Sequence, residues 1–369
     1  MVAGLALLAG AGCVPDLAWL PDSSGLVYTT TDWPGGNPPL PAELNGRLMH
    51  YDLATKTARV VARTESDTIQ PALSPDGKRV AVARVSLPRG RPATLRVVVY
   101  DLQGREVSRS QEFPWGEAPA GDVSVEKYAQ LFWAPRGEKV IVFANQRTGI
   151  CDLAADQVVT LGTAGPTIYG TTPIRPDGRG FLIAREGRKV GFVDWDGHET
   201  AIDVPTEGLD TREAETFRMP AALAWSRWEG DVAVVTWKGG ELRIDTAQKT
   251  ATVSKPEPAA WSLDGKEVQQ LYTFPDGKTR LAVLYLMSYR DFRDAGLPTV
   301  RVDLLGPGEG QRRTLVEKTF HCGVYPSPNK ELVALRYSTA GAQSGDRHRD
   351  LIRVVNQKGE TVAEIDTGK

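Results

Sequence analysis

Short apolar runs rich in β-branched residues, such as Arg79-Val80-Ala81-Val82-Ala83 and Leu95-Arg96-Val97-Val98-Val99-Tyr100, fill most of this chain, each bounded by turn formers. Runs of this length with such boundaries predict strands rather than helices. One pattern recurs: a short apolar strand, a Pro-Asp-Gly-like turn, and a second apolar strand. Its clearest copies are Ala72-Leu73-Ser74-Pro75-Asp76-Gly77-Lys78-Arg79-Val80-Ala81-Val82 and Phe274-Pro275-Asp276-Gly277-Lys278-Thr279-Arg280-Leu281-Ala282-Val283. Weaker copies centre on Asp22, Arg136, Asp177, Glu229 and Asn329. Pro presets φ, Asp bonds back to the turn amides and Gly accepts positive φ, so the pattern is a hairpin signal with a mechanism.

A second landmark follows each turn, an apolar strand that ends in Asp or Asn before a polar turn. These residues are Asp52, Asp101, Asp152, Asp194, Asp245, Asp303 and Asn356, in strict alternation with the first set. Their recurrence at hairpins favours backbone bonding by the side chain over a ring of functional carboxylates. Each unit therefore reads as four antiparallel strands, A to D, with the first landmark joining A to B and the second joining C to D. Seven units predict an all-β fold, a seven-bladed β-propeller of four-stranded antiparallel blades. Trp261-Ser262-Leu263-Asp264-Gly265 resembles an eighth turn, but no second landmark separates it from Asp276, and it is assigned to a long connection. The last blade has its own strand D at Thr361 to Ile365, so closure needs no borrowed N-terminal strand.

The 37 Gly and 25 Pro among 369 residues agree with many turns. Lys and Arg number 44 against 46 Asp and Glu, for a net charge of -2, so there is no basic surplus to drive nucleic-acid binding. Val2 to Gly12 is an uninterrupted small and apolar run, too short to span a bilayer and of the length of a secretory signal core. Leu8-Ala9-Gly10-Ala11-Gly12-Cys13 resembles a bacterial lipoprotein signal with Cys13 as the lipidated residue, although Gly10 stands where Leu is usual and the basic leader is missing. An N-terminal strand packed on the domain is the alternative. Residues 1–13 are thus expected to be a signal segment and residues 14–369 the propeller. Cys151 and Cys322 have no CxxC spacing and read as buried small apolar residues.

The Leu-Ser-Pro-Asp-Gly-Lys-x-Val-Ala-Val type of motif at residues 73–82 resembles the WD40-like (PD40-type) repeat of the TolB-like propeller family, over nearly the whole chain. The resemblance implies an exported protein, periplasmic or anchored to the membrane by lipid, with a cytoplasmic location as the alternative. The same repeat occurs in propeller domains of prolyl-oligopeptidase-like peptidases and in some sugar lyases. Within these 369 residues neither the small N-terminal domain of TolB nor a hydrolase domain has a counterpart, so those roles are not carried over.

Distances between landmarks locate the elaborated connections. B-to-C segments are long in blades 6, 7, 1 and 2, and D-to-A segments are long after blades 2, 4 and 5. Both connection types leave an antiparallel blade at one end, so the long loops share a face, where binding function usually resides. They are Trp33 to Gly46, Val85 to Thr94, Phe113 to Tyr128, Pro205 to Pro220, Tyr289 to Pro298 and Thr339 to Asp350. The candidate binding residues on them are Trp33, Arg89, Arg91, Trp115, Tyr289, Arg290, Arg293, Arg347, His348 and Arg349, types enriched at interface hot spots. The opposing reading is local neutralisation of the arginines by Asp291, Asp294, Asp346 and Asp350.

No Gly-x-Ser-x-Gly, His-Glu-x-x-His or Walker-type loop occurs, and no catalytic residue, cofactor or metal is assigned. Of the four histidines, His321 near an inner strand is the best candidate for a channel ligand, while His50 and His198 fall on other strands and faces. Trp19, Trp133 and Trp225 recur before the first landmark and read as packing between blades. Arg84, Arg185 and Arg336 recur near the end of strand B and fit either a shared surface or ties between blades. The expectation is a non-catalytic scaffold of the bacterial envelope that docks a protein, peptide or glycan on the long-loop face. The alternative is a lyase-like or lactonase-like propeller enzyme using its central channel.

Overall fold

The computed structural model describes residues 17–31, 45–65, 71–86, 93–116, 129–135, 137–144, 147–163, 165–166, 173–185, 189–205, 225–237, 240–254, 262–263, 266–286, 300–308, 311–339 and 349–367. Among them there is no helix, hence none long and apolar enough to cross a membrane. Their strands form the seven blades of an all-β propeller.

Blade 1 holds β1 (Leu17–Trp19), β2 (Gly25–Thr31), β3 (Asn45–Asp52) and β4 (Thr57–Glu65). Blade 2 holds β5 (Ala72–Leu73), β6 (Arg79–Ser86), β7 (Ala93–Asp101), β8 (Glu106–Arg109) and β9 (Phe113–Gly116). Blade 3 holds β10 (Ala129–Trp133), β11 (Lys139–Ala144), β12 (Arg147–Asp152) and β13 (Gln157–Thr163). Blade 4 holds β14 (Gly165–Pro166), β15 (Gly180–Arg185), β16 (Lys189–Asp194) and β17 (Glu199–Asp203). Blade 5 holds β18 (Trp225–Glu229), β19 (Val232–Trp237), β20 (Gly240–Asp245) and β21 (Thr250–Ser254). Blade 6 begins after β22 (Ser262–Leu263) with β23 (Lys266–Thr273), β24 (Arg280–Tyr285) and β25 (Val300–Leu305). The long β26 (Arg312–Pro326) closes blade 6 with its first half and opens blade 7 with its second, before β27 (Leu332–Thr339), β28 (Arg349–Asn356) and β29 (Thr361–Asp366). All pairings are antiparallel.

Two connections differ from the sequence expectation. Phe113–Gly116, read as the start of a loop, is β9, which pairs with β7 beyond β8. Ser110 joins the two segments: its amide donates to Val97 O at 2.9 Å and its Oγ accepts the Val97 amide at 3.0 Å, so the ladder continues across the break. Phe113, 5% exposed, anchors β9 in the core shared by blades 2 and 3. The apparent eighth turn is a small hairpin in which Ser262 and Leu263 pair with Glu267 and Lys266, a strand pair added ahead of blade 6.

The pleat assigns each B strand's side chains to one neighbour or the other. Leu26 and Tyr28 pack with Ala334, Ile352 and Val354 of blade 7, whereas Val27 packs with Val80 and Val82 of blade 2. Ala81 and Ala83 then meet Val140 and Val142 of blade 3, while Ile141 and Phe143 meet Phe181 and Ile183 of blade 4. Leu182 meets Ala233 of blade 5, and Leu281 and Val283 meet Val333 and Leu335 of blade 7. Among the described residues the core thus lies in buried layers at six of the seven junctions between blades.

Closure is non-covalent. Trp19 Nε1 donates to Tyr325 O at 2.8 Å, the Asn329 amide donates to Ser23 Oγ at 3.2 Å, and β1 pairs within its own blade. As the sequence predicts, blade 7 has its own strand D, β29.

Candidate functional site

The two ends of the strands carry different chemistry. At the hairpin rim, the residue after each first landmark takes positive φ: Ser23, Gly77, Gly137, Gly178, Gly230, Gly277 and Lys330. In the clearest turn, Gly77 N donates to Ser74 O at 2.8 Å and Ser74 N to Arg79 O at 2.9 Å, while Asp76 Oδ1 accepts Ser74 Oγ at 2.5 Å and Lys78 N at 3.1 Å. These bonds, the Ser74 hydroxyl first, hold the Asp76 carboxyl below its ordinary range.

Six of the seven second landmarks cap their C-to-D turns as expected. Asp52 Oδ1 accepts Thr55 N at 2.8 Å, Asp101 Oδ1 accepts Arg105 N at 2.9 Å, and Asp152 Oδ1 accepts Ala155 N at 2.9 Å. Asp194 Oδ1 accepts His198 N at 2.9 Å, Asp245 Oδ1 accepts Gln248 N at 2.8 Å, and Asn356 Oδ1 accepts Lys358 N at 2.9 Å. Asp303 does not. Strand β25 runs on to Leu305 and the turn forms at Gly306, so Asp303 lies inside the sheet and is 0% exposed. It accepts Arg312 Nε at 2.8 Å, Arg301 Nε at 3.1 Å and Thr314 Oγ1 at 2.8 Å, and Arg312 Nη2 also bonds it. Its pairing with Ala282 puts it on the face of blade 6 turned away from blade 7.

Cations and turns also tie neighbouring blades at this rim. Arg79 pairs with Glu138 at 2.5 Å, Lys139 donates to Trp195 O at 2.8 Å, and Arg175 pairs with Asp231 at 3.1 Å. Gln357 donates to Asp276 Oδ2 at 2.7 Å. Among the described residues, one set of three groups stands close enough to share a metal, Asp194, Asp196 and His198, with ligand atoms within 4.8 Å of one another. It is exposed in the blade 4 hairpin, Lys139 Nζ lies 3.3 Å from Asp196, and the turn amides already occupy Asp194 Oδ1. These contacts give the three residues a structural role.

His50 is buried. Its Nδ1 accepts Arg59 Nε at 3.2 Å, and burial first, then the Arg59 charge, lowers its pKa. His321 belongs to β26 by its backbone, but its side chain lies outside the described residues, as does His348. Cys151 and Cys322 are buried, as expected, and burial pushes both thiols up to about 12, which leaves them inert at neutral pH.

The opposite rim is where the long connections leave. Trp33, Arg89, Arg91, Tyr289, Arg290, Arg293, Arg347 and His348 lie outside the described residues, as does Cys13. The backbone of Trp115 is in β9, and Arg349 opens β28 opposite Thr339; their side chains are likewise outside the described set. Two of the three B-strand arginines tie neighbouring blades, and Arg84 bonds within its own. Arg185 Nη1 donates to Leu161 O of blade 3 at 2.6 Å and its Nε to Glu199 at 3.0 Å, Arg336 donates to Thr29 O of blade 1, and Arg84 donates to Tyr100 OH at 2.8 Å. Trp19 and Trp133 are packed between blades, Trp133 with the Arg79 guanidinium 5.2 Å above its ring; the Trp225 side chain is outside the described set.

Sequence reasoning missed a basic group at the top of the blade 7 to blade 1 junction, formed by Arg47, Arg63 and Arg336. Its signal was available. Counting back by twos from Tyr51 and Met49, which face blade 7, Arg47 occupies the next inward position.

No family model matches the sequence, and no curated protein matches it. Among solved structures, the chain is similar to one titled "Crystal Structure of Mitotic Checkpoint Complex", at 12% identity over 93% of this chain and 89% of that one, with a TM-score of 0.49. It is also similar to TolB from Acinetobacter baumannii, at 14% identity over 88% of this chain and 76% of that one, with a TM-score of 0.38. Nothing about binding or activity passes from either to this chain.

Proposed function

We propose that this propeller is a non-catalytic binding scaffold that docks a protein, peptide or glycan on the rim where its long connections leave. The observation that supports this reading is the contrast between rims. The hairpin rim is built from short turns whose polar groups are used up by their own backbone and by neighbouring blades. The opposite rim receives the B-to-C and D-to-A connections, including the Arg-rich and aromatic segments 287–299 and 340–348. A rigid ring presenting variable loops is a common platform for recognition. The lipoprotein-like segment ending at Cys13 supports an envelope location with a lipid anchor.

Crosslinking and affinity capture from native envelopes would test the reading, with the wild type compared against a variant shortened within 287–299 and 340–348. A partner held by the wild type and lost by the variant is the expected result. A partner held equally by both would overturn the assignment of the rim, and capture of none would shift attention to the central channel. Retention of a Cys13→Ser variant in the membrane fraction would remove the lipid anchor.

A further inference from the structure

In the C strands, the residue two before the turn cap is Val99 in blade 2, Ile150 in blade 3, Phe192 in blade 4 and Val354 in blade 7, each packed in the layer shared with the next blade. Blade 5 places Arg243 there, paired with Glu229 and Glu241. Blade 1 places His50. It pairs with Val27 of β2 and Arg59 of β4, and Val27 packs with Val80 and Val82 of blade 2, so the imidazole stands on the face turned to blade 2. It is 8% exposed, and its Nε2 is buried without a hydrogen-bond partner, 3.3 Å from where a Cβ on Gly25 would lie. Arg59 Nε donates to Nδ1 at 3.2 Å. A guanidinium has donors only, so Nδ1 carries no proton, the ring proton is on Nε2, and this bond exists only for the neutral ring. The charges that act on His50 are those of Arg59, which opposes protonation, and Asp52, which favours it. Asp52 Oδ1 is already bound by the Thr55 amide and hydroxyl, at 2.8 and 3.0 Å. Blade 2 brings Val80, Val82, Val98 and the Tyr100 phenol to the layer, with Arg84 donating to that phenol at 2.8 Å and Lys78 exposed in the turn below.

We infer that His50 is a proton-operated latch on the blade 1 to blade 2 junction: a proton added at Nδ1 breaks the Arg59 bond, sets two cations side by side at the edge of a buried layer, and loosens strand β4 and the blade 2 turn packed on it. That packing is close. A Cβ on Gly104 of blade 2 would stand 2.0 Å from Val61 O of β4, and Val61 and Ala62 are buried in the shared layer. Burial first, then Arg59, holds the folded pKa below the ordinary 6.5, so the stabilisation is whole above that value and is lost as pH falls through the folded one. The hairpin carboxylates protonate lower, below about pH 4, which leaves the latch a window of its own. It stands apart from the docking reading above.

Amide hydrogen exchange of the full chain, at about pH 7.5 and about pH 5.5 and corrected for the intrinsic rate at each, tests the latch. In the wild type, residues 57–63 and 101–105 are expected to exchange about tenfold faster at the lower pH, the scale of a lost charge-assisted hydrogen bond. The corresponding blade 3 hairpin, residues 152–157, should not respond. His50→Val, which installs the residue type of Val99 and Val354, should exchange equally at both pH values. The second measurement follows the histidine ring resonances by NMR through a pH titration. The wild-type His50 midpoint is expected below 6.5, with the neutral ring protonated on Nε2, and Arg59→Met should raise that midpoint. Arg59 is exposed, so this variant carries the test should His50→Val fail to fold. A wild-type midpoint at or above 6.5, a midpoint unmoved by Arg59→Met, or the same pH response of 57–63 in wild type and His50→Val would overturn the latch. Faster exchange spread evenly over all blades would also overturn it, since a general loss of stability would then be the cause.

Discussion

At the hairpin rim, Asp22, Asp52, Asp76, Asp101 and Asp276 spend their oxygens on amides and hydroxyls within four residues, and cations from the next blade add a second layer. At the opposite end of the same strands, arginines reach sideways to carbonyls of neighbouring blades, as Arg185 does to Leu161 and Arg336 to Thr29. The first arrangement is local, repeated and electrically settled. The second depends on how the blades meet, and at the blade 7 to blade 1 junction it gathers like charges. A propeller can therefore keep one rim for integrity and leave the other to vary, because the ties between blades seen among the described residues run through strands and hairpins.

Acid should break the hairpin rim first and as a whole. Asp22, Asp76 and Asp276 are held below their ordinary value of 3.8 chiefly by hydroxyl bonds from Ser24, Ser74 and Thr279, and Asp52 and Asp101 by amide bonds from Thr55 and Arg105. A depressed folded pKa gives stability that is present above the unfolded value and lost as pH falls through the folded one. The melting temperature should therefore fall steeply below about pH 4. His50, kept neutral by burial, adds a smaller loss beginning below its ordinary 6.5. A flat melting profile down to pH 3 would contradict this picture.

Among single substitutions, Asp303→Ala should cost most, about 3 kcal/mol in urea unfolding, because it strands Arg312 and Arg301 beside a buried gap. Asp245→Ala, at an ordinary turn, should cost about 1 kcal/mol. Equal costs would mean that Asp303 is one more turn residue. Gly104→Ala comes next at about 2 kcal/mol: φ is +91°, and an added Cβ would run into the Val61 carbonyl of blade 1. Gly277→Ala, with positive φ but open space around the Cβ position, should cost about half as much. Trp19→Phe removes the donor to Tyr325 O while retaining an aromatic ring, and about 1 kcal/mol should be lost.

These contrasts also mark what the sequence could tell. The seven turns were legible because their chemistry is confined to four to six residues; even Gly137 and Lys330, in turns with no full motif, take the same positive φ. Asp303 matched the spacing of a turn residue and was misread, because its environment is set by Arg312 across the hairpin. Strand β9 was taken for a loop because Ser110, a polar residue that usually signals a turn, substitutes its side chain for a ladder group. The alternation of β3 places Arg47 on the face turned to blade 7, but its meeting with Arg336 needed two blades distant in sequence to be placed side by side. Arg84, Arg185 and Arg336 were singled out by recurrence, but recurrence alone could not separate a surface from a tie.

The smallest expected effect on stability is also the sharpest test of the two-rim contrast. Replacing Arg290, Arg293, Arg347 and Arg349 together with Ala alters segments through which none of the described ties between blades pass. Surface changes of this kind usually stay within about 0.5 kcal/mol each. Unfolding in urea should therefore keep its midpoint within the error of the measurement, while capture of a partner through that rim is lost. Arg79→Ala on the other rim should do the reverse: it removes the 2.5 Å pair with Glu138 and the cation over Trp133, lowers stability, and leaves capture intact. If both variants lost stability and capture together, the rims would be energetically coupled, and the division of labour between them would fail.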